Sequence, residues 1–196
     1  MPARTDTRQR VLQTAAELFR RQGFANTGLK QIITTSGAPW GSLYHFFPEG
    51  KEQLAEEAMR EAGARFEKLM ALTLARAADP QTAVRDFFSL GAQALENSDY
   101  ADGCPIGAVA AEVASTVPRL RRACEAVFAS WLERITESLT TPQIPAEDAA
   151  RLAMVILSMF EGAIVLSRSQ RSIIPLKTSG ETAAQLVAAA AARANG

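Results

Sequence analysis

TGLKQIITTSGAPWGSLYHFFP, residues 27–48, carries two short helical patterns on either side of a glycine. Thr27 or Gly28 can cap a helix over about Leu29 to Ser36, whose buried residues are expected to be Leu29, Ile32 and Ile33. Gly37 stops it, because glycine readily takes the left-handed backbone a helix end requires. Pro39 presets the first turn of a second helix, which runs only to about Phe46 before Pro48 interrupts it. Ile32, Ile33, Ala38, Leu43 and Phe47 suit the inside of this unit, leaving Pro39, Trp40, Ser42, Tyr44 and His45 to face outward. A helix this short is unstable alone, and a purely structural one would normally show Lys or Glu on its outer face. Aromatic and polar residues there point to a partner surface. Support helix, tight glycine turn and second short helix together make a helix-turn-helix.

Upstream, a helix over about Thr5 to Gln22 has Leu12, Ala15, Ala16 and Phe19 on one stripe, with Thr5 or Thr7 as cap. It ends on Arg20, Arg21 and Gly23, after which Phe24 folds back onto the core. Downstream, a long helix over about Lys51 to Ala77 has Leu54, Ala58, Phe66, Leu69 and Met70 on its apolar side. Further helices are expected at about Thr82–Asn97, Pro105–Ser115, Pro118–Leu139, Ala146–Ser169 and Ser179–Arg193, jointed at Pro80, Gly103-Cys104-Pro105, Pro118, Pro142, Pro145 and Pro175. No sustained apolar/polar alternation interrupts them, so the chain reads as all-α. Residues 1–51 form a small N-terminal domain and residues 52–196 a helical C-terminal one.

With 47% hydrophobic and 21% charged residues, the chain falls among soluble globular proteins. Met1 to Arg10 has no apolar stretch suited to a signal peptide, and the apolar run Leu152–Leu166 is shorter than the roughly 20 residues of a membrane span. That run reads as buried helix. Cys104 and Cys124 have neither metal-ligand spacing nor disulfide density, which suits a reducing cytoplasm. Formal net charge is zero, but residues 1–51 carry seven Lys and Arg (Arg4, Arg8, Arg10, Arg20, Arg21, Lys30, Lys51) against Asp6, Glu17 and Glu49, a balance of +4. Only this quarter of the chain is attracted to phosphate.

Gly23-Phe24, Thr27, Ile32, Gly37, Gly41-Ser42-Leu43-Tyr44 and Phe46-Phe47 resemble the DNA-binding region of the tetracycline-repressor (TetR) family, with spacing kept from Arg8 to Leu54. The run Gly41 to Pro48, then Gly50-Lys51-Glu52, and the motif Gly103-Cys104-Pro105-Ile106-Gly107 are similar to the subgroup of lincomycin-resistance and flavonoid-responsive repressors. The resemblance implies a homodimer whose recognition helices enter successive major grooves of a palindromic operator and are released by a small hydrophobic or aromatic inducer. It implies phosphate contacts from Thr27, Tyr44 and Lys51, and base-edge contacts from or near Pro39, Trp40, Gly41, Ser42 and His45, with Lys30 in the same DNA-facing set. Trp40 stands where the family often has a basic or small polar residue, Pro39 where it often has Ser or Thr, and Gly28 where a hydroxyl cap is usual. His45 also fits a plain surface residue, the Tyr44 ring fits packing under the turn with its hydroxyl outward, and Trp40 fits covering an apolar gap.

In the C-terminal domain Phe66, Met70, Phe87, Phe88, Cys104, Ile106, Val109, Phe128, Trp131, Met159 and Phe160 are candidates to line a ligand pocket, with Gly91, Gly107 and Gly162 leaving space beside them. Most such positions are plain core. Glu161, inside an apolar run, faces water, pairs with an Arg such as Arg168, or meets a polar ligand group. The last two helices combine apolar stripes with Ala, Gly and Ser, which fits a four-helix dimer seam or closure of a monomer core. A single histidine on the recognition helix assembles no catalytic triad, and neither a phosphate loop nor a metal cluster is legible, so neither enzyme activity nor a cofactor is expected. The rival reading is a helical scaffold whose basic end binds an acidic protein; salt separates the two, since specific duplex binding should fall steeply as salt rises and be competed by one palindrome much better than by random DNA.

Overall fold

The computed structural model describes residues 4–193, with side chains from Asp6 onward. Among these residues the regular elements are helices, and β-type pairing is limited to one bridge between Thr141 and Ile144. The first is α1 (Arg4–Gln22), which buries Val11, Leu12, Ala15, Ala16 and Phe19 along one face. It begins at Arg4, so Thr5 and Thr7, expected as caps, lie inside the helix. Gly23 follows with φ 81°, and its amide closes on the Phe19 carbonyl at 2.9 Å.

Next come α2 (Leu29–Ser36) and α3 (Trp40–Phe46), which with α1 form the three-helix N-terminal cluster read from the sequence. Gly37 takes φ 64°, and the amides of Gly37 and Ala38 return to the Thr34 and Ile33 carbonyls. Leu29 is only half-buried, and Ser36 takes its place inside by donating to the Ile33 carbonyl. The rest of the chain forms α4 (Lys51–Arg76), α5 (Pro80–Asn97), α6 (Gly107–Val113), α7 (Pro118–Leu139), α8 (Ala146–Gln170) and α9 (Ile174–Arg193).

Three of these starts differ from the sequence reading: α6 begins at Gly107 and not at Pro105, and proline accounts for the other two. α5 begins at Pro80, with the Asp79 carboxylate accepting from the Thr82 amide at 2.8 Å, and α9 begins at Ile174 with Pro175 in its first turn. Proline lacks an amide hydrogen, which the first helical turn does not need, so it opens these helices instead of marking their joints. Leu69, assigned to the apolar side of α4, is 45% exposed.

The helices fall into two compact units. The first gathers the chain up to Arg65 with Cys104–Val127, so α6 and the start of α7 belong with α1–α3; the second gathers Phe66–Gly103 with the chain from Phe128 onward. In the second unit an aromatic cluster forms the core. Phe87 and Phe160 stack at 4.2 Å between centroids, Phe66 meets Trp131 at 4.7 Å, and Phe88 meets Phe160 edge-on at 5.4 Å. Such pairs contribute roughly 0.5–1.5 kcal/mol each beyond their area burial.

The space expected beside two glycines is accounted for differently. A Cβ on Gly91 would lie 2.7 Å from the Phe160 ring, so the ring itself fills that gap; Gly162 has open space and lies exposed on α8. Gly180 allows close packing of α9 on α5, where a Cβ would lie 2.7 Å from Phe88 Cβ. At 25 residues, α8 is long and apolar enough to cross a bilayer by length and composition. Its Ala149, Ala153, Ile156, Phe160 and Ala163 face inward, while Met154, Val155, Val165 and Leu166 remain exposed.

Candidate nucleic-acid interface

The exposed face of α3 follows from the placement of Leu43 and Phe47, both fully buried, which turns the opposite side of a seven-residue helix outward. Trp40 is 52% and Tyr44 61% exposed; Pro39, Gly41 and His45 are exposed and Ser42 is half-buried. The His45 ring lies edge-on to Phe46 at 5.0 Å. Trp40 and Tyr44 are four residues apart, hence on the same side of the helix. The ring of Tyr44 is therefore not packed beneath the turn, and Trp40 does not plug a gap in the core.

Neither α2 nor α3 has a side-chain N-cap. Gly28 and Pro39 stand at the cap positions, with extended backbone and no capping hydrogen bond from a side chain. The first amides of a helix have no intrahelical acceptor, and together with the helix dipole they favour an anion. Lys30 is exposed in the first turn of α2.

Other members of the expected set lie elsewhere. Thr27 is fully buried: its hydroxyl donates to the Gly23 carbonyl at 2.7 Å and accepts from Gln22 Nε2 at 3.2 Å. It builds the α1–α2 turn, and its side chain is closed off from any phosphate in this conformation. Lys51 opens α4 with its Nζ 4.2 Å from the centroid of the Phe24 ring. Burial lowers its ammonium below the ordinary value, and the negative charge of Glu112 acts in the opposite sense. One of the cations counted in residues 1–51 is neutralised from outside that span, Arg8 by Glu57, while Arg10 pairs at 2.7 Å with Asp6, which the balance already subtracts.

Two side chains that sequence reading missed hold this region. The Glu112 carboxylate of α6 accepts the Phe24 amide at 2.7 Å through Oε2 and the Ala25 amide at 2.6 Å through Oε1. Arg119, in the first turn of α7, pairs with Glu49 in the turn after α3 and with Glu56 on α4. The hydrogen bond from Arg119 is the main reason the Glu56 carboxyl sits below its ordinary range. Nothing local in GAVAAEV marks Glu112, because its partners are backbone amides 87 and 88 residues away.

The candidate ligand residues divide between the units. Phe66, Met70, Phe87, Phe88, Phe128, Trp131, Met159 and Phe160 belong to the second unit, whereas Cys104, Ile106 and Val109 belong to the first. In the first unit the buried Cys104 Sγ accepts from the amides of Ile106 and Gly107 at 3.4 and 3.3 Å. Arg168, considered as a partner for Glu161, donates to the carbonyls of Tyr100 and Ala101. Among the described residues no cluster of His, Cys, Asp or Glu is suited to a metal ion.

A helix-turn-helix with an outward-facing, aromatic second helix defines the class of DNA-binding regulators, and known proteins give the family. Residues 11–58 match the description of bacterial regulatory proteins of the tetR family, and residues 80–182 match the C-terminal domain of LmrA/YxaF-like transcriptional regulators. YxaF, an HTH-type transcriptional regulator of Bacillus subtilis (strain 168), is 40% identical over 187 residues, covering 95% of this chain and 98% of YxaF. LmrA of the same organism, also an HTH-type transcriptional regulator, is 35% identical over 171 residues, covering 87% and 91% of the two chains. The crystal structure of a TetR transcriptional regulator from Chloroflexus aurantiacus J-10-FL matches with a TM-score of 0.82 and 31% identity over 96% of this chain and 97% of that one. This chain belongs to the TetR family of transcriptional regulators, in its LmrA/YxaF-like branch, and is a regulator and not an enzyme.

Proposed function

We propose that this TetR-family regulator is a repressor: as a homodimer it binds a palindromic duplex operator with α3 in the major groove, and a small hydrophobic or aromatic molecule releases it. The observation that carries the reading is the outer face of α3, where Trp40 and Tyr44 stand exposed above a buried Leu43 on a helix with no side-chain cap. An α-helix fits the major groove, apolar side chains meet thymine methyl groups, and Ser and His reach base edges. Within the proposed contact set, Pro39, Trp40, Gly41, Ser42 and His45 lie at the bases, and Tyr44, Lys30 and the open amides of α2 lie at phosphates. Lys51 adds a phosphate contact only if its ammonium leaves the Phe24 ring, and Thr27 serves the turn.

The dimer reading rests on α8. Met154, Ser158, Gly162, Val165 and Leu166 are exposed along one side of the helix at helical spacing, and nothing occupies the space beside Gly162. A second helix can approach closely there, and a copy of this chain supplies a matching stripe. Residues 1–51 would then act as the reading domain and residues 52–196 as the body that dimerises and senses ligand, in the cytoplasm. The aromatic cluster around Phe66, Phe87, Trp131 and Phe160 suits an apolar ligand, which would have to part rings now in contact.

The test is competition between duplexes. Purified protein should prefer one palindrome over random duplex by about 1,000-fold or more, with an affinity that falls steeply as salt rises. Equal affinity for both duplexes at every salt concentration would leave the scaffold reading in its place.

A further inference from the structure

An eight-residue span, Glu112 to Arg119, holds two charged side chains of opposite sign that grip the reading head at different places. Glu112, on the last full turn of α6, binds the α1–α2 turn: both carboxylate oxygens accept backbone amides, from Phe24 at 2.7 Å and Ala25 at 2.6 Å. Gly23, at φ 81°, makes room for it, since a Cβ there would stand 2.6 Å from Glu112 Oε2. The ring of Phe24, whose backbone amide Glu112 holds, carries the Lys51 ammonium at 4.2 Å. Arg119 approaches the other end of the helix-turn-helix, joining Glu49, two residues past the buried Phe47, to Glu56 on α4. All of these residues belong to one compact unit.

The chemistry suits the task of fixing orientation. A carboxylate that accepts two adjacent amides, and a guanidinium that serves two carboxylates through different nitrogens, each restrain direction as well as distance.

We propose that Glu112 and Arg119 are positioning residues for operator binding, holding α2 and α3 in one pose against the α6–α7 segment so that only one half-site spacing is bound tightly. This inference rests on the operator reading above. Neither side chain touches DNA in this account. Their loss relaxes the choice of spacing while the chemistry of each half-site contact stays as it was.

The experiment uses the full chain with Glu112→Gln and Arg119→Gln, singly and combined. The DNA is a palindrome that the parent protein selects from random duplex, with and without two base pairs inserted at its centre. The insertion rotates the half-sites by about 70° relative to each other, given about 10 base pairs per turn. The parent is expected to lose about 100-fold in affinity on the insertion and the combined variant less than about 10-fold, while a single half-site duplex binds both within about twofold. Arg119→Lys keeps the charge and is expected to restore most of the spacing preference that Arg119→Gln removes. Amide hydrogen exchange at Phe24 and Ala25 is expected to quicken about tenfold or more in Glu112→Gln, with Ile32 and Leu43 unchanged.

An insertion penalty in the combined variant equal to the parent's would overturn the proposal, as would unchanged exchange at Phe24 and Ala25. Half-site binding that falls as far as palindrome binding would assign both residues to folding of the head and overturn it equally. A parent that selects no palindrome overturns the operator reading along with this one, and is told apart from failure of the clamp alone, in which the parent selects a palindrome and the variants keep its spacing.

Discussion

The outer faces of α3 and α8 leave large side chains about equally exposed: Trp40 52% and Tyr44 61% on one, Met154 54%, Val165 66% and Leu166 53% on the other. Exposure alone therefore does not distinguish the two faces, whereas the chemistry of their side chains does. On α3 both residues are aromatic with a polar atom on the ring system, and Ser42 and His45 stand among them, a composition suited to a groove that is part apolar and part wet. On α8 the stripe is aliphatic, broken by Gly162 and Ser158, and gains free energy only against another dry surface. On the proposed reading, the α3 face meets a polyanion and the α8 face a copy of this chain.

The largest effect is expected away from both faces. Phe160→Ala removes the ring stacked on Phe87 and leaves a cavity beside Gly91, and should cost about 3–5 kcal/mol in urea unfolding. A much smaller loss would mean that the aromatic cluster is loosely packed and open to ligand as it stands.

Next comes the α8 stripe. Val165→Glu sets like charges against each other across a two-fold contact, and sedimentation velocity should show self-association weakened about 100-fold with helicity intact, since the position is 66% exposed. An unaltered association constant would move the dimer surface elsewhere. On α3, Trp40→Ala and Tyr44→Phe should change unfolding free energy by less than about 0.5 kcal/mol, as exposed residues do, while lowering duplex affinity. Tyr44→Phe is expected to lower it by about 3–10-fold on every sequence, whereas Ser42→Ala and His45→Ala shift the preferred base, because phosphate contacts position and base contacts specify. Uniform losses for all of them in a binding-selection assay would erase that division.

What the sequence made legible was whatever local chemistry determines. Gly23 and Gly37 each end a helix with positive φ, and the Pro39-to-Pro48 segment yields one short helix with Leu43 inside. The joints at Pro80 and Pro175 misled because proline is as suited to the first turn of a helix as to the loop before it. The resemblance places Thr27 at a phosphate, whereas its hydroxyl closes a turn on a carbonyl four residues back. Glu112 was out of reach, since a carboxylate that binds backbone amides in a distant turn leaves no pattern of residue types. The filling of the Gly91 gap by Phe160 depends on how α5 and α8 pack, which periodicity does not encode.

The smallest effect concerns pH. The Glu56 carboxyl lies below its ordinary value of 4.5 chiefly through its hydrogen bond from Arg119, so the pair stabilises the fold above that value, and the contribution is lost as pH falls through the lowered one. Urea midpoints should fall between pH 6 and pH 3 by less in Arg119→Gln than in the parent. The same pH dependence in both would show that the ion pair adds nothing to stability.

The central claim is that two α3 helices read one duplex together, and the stoichiometry on a selected palindrome tests it most directly. Sedimentation equilibrium of the complex should give two protomers per palindrome, with protection from hydroxyl-radical cleavage in two patches about 34–36 Å apart. One protomer per duplex, or protection without sequence preference, would contradict the account.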